Sequence, residues 1–119
     1  MSSNKDQQES LVDKTGALQR LGGDRQLFSE FITIFLEDSP ELIANIRKGL
    51  ETNDATTVEK NAHSLKGLIS NFGAKECVEL ALKLELAGRA GSVEDCDDDL
   101  DTLEQLHYRL TKELQAFQT

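Results

Sequence analysis

The chain has 119 residues, of which 38% are hydrophobic, and its formal charge is −9. That length suits one domain, and so acidic a surface argues against nucleic acid and anionic membranes as partners. No stretch approaches the roughly 18 consecutive apolar residues of a membrane span. The polar N-terminal segment lacks the apolar core of a secretory signal. We therefore expect a small cytoplasmic protein.

The composition favours helix, with one proline and no alternating β-branched run. Residues 1–8 are predicted to form a disordered tail, and residues 9–119 one domain. A short helix is predicted over residues 11–21, ended by Gly22 and Gly23. Asp24 is a good N-cap for a long second helix, whose apolar stripe continues in phase across Pro40. We therefore predict one continuous, kinked helix, with Phe28, Phe31 and Phe35 in the core.

Three further helices follow in the pattern. The third is predicted from about residue 54 to Gly73 and the fourth over residues 74–90, with Gly91 just past its end. Ser92 is the predicted N-cap of the last helix, with Glu94 and Asp95 in its first turn. Short connections between long helices imply antiparallel neighbours. The predicted fold is all-α: an antiparallel up-down four-helix bundle with an additional short N-terminal helix.

One histidine stands outside the apolar pattern of the third helix. At about 100° per residue, His63 projects roughly 140° from the centre of the apolar stripe, so we expect it to face water or a partner. Gly67 lies one turn further and removes side-chain bulk, although glycine costs a helix interior roughly 1 kcal/mol against alanine. Lys66 can place an ammonium near an anion on the ring. Together these residues describe an accessible histidine that can accept a phosphoryl group. The buried stripe is Val58, Ala62, Leu65, Ile69 and Phe72.

The segment from Ala62 to Gly67, Ala-His-Ser-Leu-Lys-Gly, followed by Gly73 and Ala74, resembles the motif of histidine-containing phosphotransfer (HPt) domains. The early Leu-Gly-Gly-Asp at 21–24 and the Leu-Glu-Leu-Ala-Gly-Arg at 84–89 are similar to flanking segments of the same family. The resemblance covers about residues 10 to 117.

The resemblance implies that His63 is phosphorylated on a ring nitrogen and shuttles the phosphoryl group between aspartates of receiver domains. The chain would then be a phosphocarrier in two-component signalling rather than an enzyme. It would bind no metal or cofactor of its own, with Mg²⁺ supplied by the receiver. Response-regulator receivers are the implied partners, with a hybrid sensor kinase as a further one. Separately, a monomer is the default state, because the helical stripes are all needed for the chain's own core.

The resemblance also assigns roles around His63. Lys66 and Arg89 would neutralise the phosphate, and Glu85 would lie beside the ring, although some relatives carry glutamine at its position. Gly67, Leu68 and Ser70 would provide access and docking. Leu68 replaces a small residue of many relatives, and contact surface and core filling are equally plausible for it.

Two other functions remain open at this stage. The chain resembles in fold the phosphoacceptor domain of a chemotaxis-type kinase, whose donor is an ATP-bound catalytic domain. It could also be a receiver-docking module without phosphotransfer, although the intact His-Lys-Gly set speaks against this.

Other polar residues have structural explanations. Cys77 and Cys96 have no C-x-x-C spacing and no zinc pattern with the histidines, so reduced thiols are expected. His107 is expected to be a surface or packing residue. The acidic run does not match a calcium loop and is expected to stabilise a helix N-terminus; it comprises Glu94, Asp95, Asp97, Asp98, Asp99 and Asp101.

Overall fold

The computed structural model describes residues 10–118, and in that range it contains helices and no strand. The helices α2 to α5 close a ring in which α2 packs against α3 and α5, and α4 packs against the same two. The short α1 lies against α2. The predicted all-α four-helix bundle with an extra N-terminal helix is confirmed, whereas the predicted tail at residues 1–8 lies outside the described residues. The helices are α1 Lys14–Arg20, α2 Arg25–Glu51, α3 Ala55–Ser70, α4 Lys75–Ala90 and α5 Asp97–Phe117.

The helix α1 begins later than its sequence pattern predicted. The Asp13 side chain accepts a hydrogen bond from the backbone N–H of Gly16 and so caps the helix. The backbone N–H groups of Leu11 and Val12 instead donate to the carboxylate of Glu113 on α5, over 2.9 to 3.0 Å. The predicted start at Leu11 is wrong because this long-range carboxylate takes the donors before the helix begins.

The long helix α2 passes through Pro40 without interruption, as the stripe predicted. Residues on both sides of the proline continue one buried face, which runs from Phe28 to Gly49. Packing of that face offsets the hydrogen bond that proline removes from the helix interior. Phe28 and Phe35 are buried as predicted, but Phe31 is only half-buried and packs against the edge of the core.

The start of α5 is a second correction. Ser92 is exposed and does not cap this helix, which begins at Asp97 after a turn over residues 93–96. Val93 and Cys96 are buried in that turn, so their packing into the core keeps the chain out of the helix for several residues. Glu94 and Asp95 consequently lie before the helix, and its acidic first turn is formed by Asp97, Asp98 and Asp99.

The core is largely aliphatic, with an aromatic cluster where α2 meets the end of α3. Phe72 makes edge-on contacts with Phe28 and Phe35, with ring centroids 5.9 and 5.6 Å apart. His107 packs against Phe35, and its Nε2 lies 2.7 Å from the buried hydroxyl of Ser39, so it is the packing histidine that was expected. The predicted α3 stripe is buried throughout, as are the α5 residues Leu100, Leu103, Leu106, Leu110 and Leu114.

The backbones of α3 and α4 approach each other closely at Gly88. A Cβ atom at Gly88 would stand 2.6 Å from the backbone nitrogen of Glu59 and 2.7 Å from the backbone oxygen of Ala55. A methyl group cannot fit there unless the two helices separate, so glycine allows their backbones to pack directly.

No helix in the described range is both long and apolar enough to cross a membrane.

We predict opposite effects of alanine at two helical glycines. Gly88→Ala should lower the free energy of unfolding by about 1–3 kcal/mol, the usual cost of forcing extra volume into a packed interface. Gly67→Ala should raise it by up to about 1 kcal/mol, because a Cβ at Gly67 meets nothing within 4 Å. Urea titrations of both variants would measure this, and equal changes in the same direction would contradict the close approach.

Candidate functional site

His63 projects from α3 on the side away from the core, as its angle predicted. Val58, Ala62, Leu65 and Ile69 bury the other side of the helix, and the His63 side chain is 67% exposed. One ring nitrogen is nevertheless held: Nδ1 lies 3.0 Å from the Oε2 atom of Glu85 on α4. The ring is therefore open to a partner and fixed in orientation.

Glu85 is the centre of the polar cluster around this histidine. Its side chain is only 3% exposed, and three cationic or cation-forming side chains cover it. The Lys66 ammonium lies 2.7 Å from Oε1 as an ion pair, although the angles leave Oε1 without an aligned hydrogen bond. Arg89 donates from Nη2 to Oε2 over 3.0 Å. Glu85 thus connects the histidine of α3 to both predicted cations.

The carboxyl group of Glu85 is ionised at neutral pH. The contact with Lys66 lowers its pKa most, and the hydrogen bond with His63 adds to this, while burial acts in the opposite direction. The side chains that cover Glu85 are themselves partly exposed, so the charge lies just beneath the surface rather than in the apolar core. An anionic acceptor is therefore present under the ring.

This contact determines the tautomer of His63. An ionised carboxylate can only accept, so Nδ1 carries the hydrogen in the bond to Glu85. The neutral ring then has its lone pair on Nε2, which forms no hydrogen bond within the described part of the chain. Nε2 is the atom available for nucleophilic chemistry.

The two cations differ in exposure. Lys66 is 25% exposed and lies against Glu85. Arg89 is 59% exposed and joins Glu85 to Glu59, since its Nε donates to the Glu59 carboxylate over 3.0 Å. The structure brings His63, Lys66, Glu85 and Arg89 together, as the family resemblance implied. Glu59 was missed, although its position one turn before His63 on the same helix was a usable signal.

His63 stands between two surface grooves. The groove towards α2 is lined by Asp38, Glu41, Leu42, Asn45, Ser64, Gly67 and Leu68 as well as His63. The groove towards α4 is lined by Glu59, Lys60, Ser64, Glu85 and Arg89 as well as His63. We call these the α2 groove and the α4 groove.

The residues expected to provide access are not equivalent. Gly67 is exposed in the α2 groove, and the space beside it is open. Leu68 is half-buried there and packs against the core while lining the groove, so both readings of this residue apply in part. Ser70 is exposed but lies outside both grooves, and its hydroxyl donates to the backbone oxygen of Lys66 over 2.7 Å.

The remaining candidates lie elsewhere. Cys77 and Cys96 are free and buried, and burial raises the pKa of the Cys77 thiol to about 11. Within residues 10–118, no group of three or more His, Cys, Asp or Glu side chains is arranged to hold a metal ion. Glu94, Asp95, Asp97 and Asp98 form an exposed acidic surface at the start of α5.

A family model described as the Hpt domain matches residues 30–119 of this chain. The chain belongs to the HPt domain family. Histidine-containing phosphotransfer protein 2 of Arabidopsis thaliana is 33% identical to it over 95 residues, which are 76% of this chain and 61% of that protein. The chain therefore spans less than two thirds of this curated relative.

The fold of this HPt domain is also similar to a solved structure. The crystal structure of histidine-containing phosphotransfer protein B (HptB) from Pseudomonas aeruginosa PAO1 matches it with a TM-score of 0.81 and 21% sequence identity. The match covers 93% of this chain and 97% of the other. At this identity the likeness concerns the fold alone.

The ionised Glu85 of this HPt domain should contribute to stability in a pH-dependent way. Its folded-state pKa lies below the ordinary value of 4.5, so its stabilising contribution is complete above that value and is lost as the pH falls through the folded-state pKa. Glu85→Gln removes this contribution. The difference in unfolding free energy between wild type and variant should therefore shrink as the solution is acidified below pH 4.5.

Urea titrations across this pH range would measure the effect. The matched control is Glu94→Gln, which changes an exposed carboxylate in the turn before α5. It should retain the wild-type acid dependence. If the difference in unfolding free energy between wild type and Glu85→Gln did not depend on pH, Glu85 would not be ionised in the folded protein.

Proposed function

We propose that this HPt domain is a phosphorelay intermediate of two-component signalling, in which His63 receives a phosphoryl group from a receiver aspartate and passes it to a response regulator. The observation that carries the proposal is the geometry of His63, whose Nδ1 hydrogen-bonds to the ionised Glu85 while the side chain as a whole is 67% exposed. Family membership supports the same function.

The transfer step uses the free lone pair of Nε2. It attacks phosphorus in the aspartyl phosphate of the donor receiver, forming the N–P bond as the P–O bond to aspartate breaks and its electron pair returns to the carboxylate. The ring becomes positively charged, and the Nδ1–H bond to Glu85 stabilises that charge. In the onward step an acceptor aspartate oxygen attacks phosphorus, and the N–P electron pair returns to Nε2.

Cations compensate the carboxylates that cluster beside His63. Lys66 and Arg89 contribute two positive charges, and Glu59 and Glu85 contribute two negative charges, so these four ion-paired side chains sum to zero. The cations therefore reduce repulsion between the carboxylates and an incoming phosphoryl group.

The partner supplies the rest of the chemistry in this proposal. Mg²⁺ and the acidic cluster that bind the transferring phosphoryl group belong to the receiver. The HPt domain provides the nucleophile, its orientation and local charge compensation, and acts as a phosphocarrier without an ATP site or cofactor of its own. It works as a monomer in the cytoplasm, with receiver domains, including that of a hybrid sensor kinase, as its partners.

The first test is phosphotransfer from a phosphorylated receiver domain, with His63→Gln as the variant. Glutamine can occupy this exposed position without disturbing the core, so the variant should fold like the wild type. The wild type should gain a label that survives base and is lost in acid, and the variant should gain none. NMR of the labelled protein should place phosphorus on Nε2, because Nδ1 is engaged by Glu85.

A label retained by the folded His63→Gln variant would refute the assignment of the nucleophile. A label that appears with ATP and a kinase catalytic domain, but with no receiver, would instead favour the chemotaxis-type phosphoacceptor. Binding to receivers without any label would favour the docking module.

A second prediction concerns access beside His63. Gly67→Gln should fold, because the space at this position is open to solvent, but it should slow phosphotransfer by about tenfold or more, the loss that misplacing reacting groups commonly causes. Ser92→Gln, at an exposed residue outside both grooves, is the control and should transfer at the wild-type rate. Equal transfer rates for Gly67→Gln and wild type would show that the donor does not approach over this glycine.

A further inference from the structure

The α2 groove contains two acidic side chains that the fold itself does not use. Asp38 and Glu41 are exposed and line this groove together with His63. Among the described residues, neither carboxylate forms a hydrogen bond or an ion pair. Some other carboxylates of the bundle are engaged: Asp101 and Glu104 by Arg47, Asp99 by Lys83, and Glu113 by backbone N–H groups. Exposed carboxylates such as Glu94 and Asp95 also have no such contact among the described residues, so what distinguishes Asp38 and Glu41 is their place in the groove beside His63.

Helix stability does not explain this pair. Acidic side chains stabilise the first turn of a helix, but Asp38 and Glu41 lie in the middle of α2, which runs from Arg25 to Glu51. Glu37 and Glu41 are also four residues apart, a spacing at which like charges weaken a helix. The position of these charges within α2 therefore gives the helix no stabilisation.

Asp38 and Glu41 also repel a phosphoryl group on His63 unless their negative charges are neutralised. On the α4 side of His63, Glu59 and Glu85 are balanced by Arg89 and Lys66. On the α2 side the groove residues include no Lys or Arg. A partner that brings positive charge into the α2 groove would remove the repulsion at the moment of transfer.

The floor of the groove adds an apolar contact. Leu42 from α2 and Leu68 from α3 are both half-buried and pack against the core while lining the groove. Beside them Gly67 leaves the surface open. The groove therefore fits an apolar side chain flanked by Lys or Arg.

We propose that Asp38 and Glu41 select the receiver domains that dock on this HPt domain, favouring those that present Lys or Arg beside an apolar side chain at the docking surface. This rests on the proposed phosphorelay function for the identity of the partner class. The charges steer encounter and orient the complex, so their effect is on association more than on the chemical step.

The experiment compares two double variants with the same change in net charge. Asp38→Lys with Glu41→Lys alters the α2 groove, and Glu94→Lys with Asp95→Lys alters the acidic surface before α5. Each replacement adds two positive charges, so both variants change from −9 to −9 + 4 = −5. Transfer from phosphorylated receivers with basic and with acidic docking surfaces is measured at low and at physiological salt.

We expect the groove variant to lose at least tenfold, and up to about 10³-fold, in kcat/KM with basic receivers at low salt, and to gain with acidic receivers. The wild-type rate with basic receivers should fall as salt rises, and the groove variant should lose that dependence. The control variant, Glu94→Lys with Asp95→Lys, should behave like the wild type. Equal effects of the two variants would show a net-charge effect, and no effect of the groove variant would show that the pair does not select partners; either result overturns the proposal.

Calorimetric binding of unphosphorylated receivers to His63→Gln separates this proposal from the phosphorelay function. Charge-dependent binding by the groove without any phosphotransfer in wild type would refute the relay function and retain the selectivity. If phosphotransfer occurs but binding does not depend on the charges of Asp38 and Glu41, the relay function is retained and the selectivity proposal is refuted.

Discussion

At Gly88 the backbone of α4 comes so close to α3 that a methyl group has no room, and this contact controls the geometry of the site. Glu85 and Arg89 lie within one turn of Gly88, so the same approach brings their side chains beneath and beside His63. If α3 and α4 were separated by an ordinary side chain, a carboxylate on α4 would no longer reach Nδ1. The backbone contact and the orientation of the nucleophile are thus one structural feature.

Glu85 combines two roles that would conflict if it were not surrounded by cations. A nearly buried carboxylate is costly unless it is paired, and Lys66 and Arg89 provide that pairing. Once ionised, it fixes the tautomer of His63, and in the proposed transfer it would stabilise positive charge on the ring during attack. In that proposal the cations support the nucleophile through Glu85 as well as compensating the charge of the phosphoryl group.

The two sides of His63 differ in whether their carboxylates are paired with cations of the bundle. The α4 groove balances its carboxylates internally, while the α2 groove leaves Asp38 and Glu41 to solvent or to a partner. In the proposed relay, this asymmetry would give the α4 side the support of the nucleophile and the α2 side the recognition of the partner, where Gly67 also keeps the approach open. One exposed ring can then be held from one side and approached from the other.

The helical bundle, the exposed face of α3 and the family could be predicted from the sequence, because helical periodicity, caps and a short motif are local properties of the chain. It also predicted the passage of α2 through Pro40, since the apolar stripe kept its phase. It misplaced the starts of α1 and α5, where Glu113 and the burial of Val93 and Cys96 act from distant parts of the fold. The packing of the helices was needed to show that Glu85 is nearly buried, that Glu59 joins the cluster, and that Asp38 and Glu41 line the groove beside His63 with no hydrogen bond or ion pair among the described residues. These facts depend on how closely and in what register helices pack against each other, which no pattern within a single helix records.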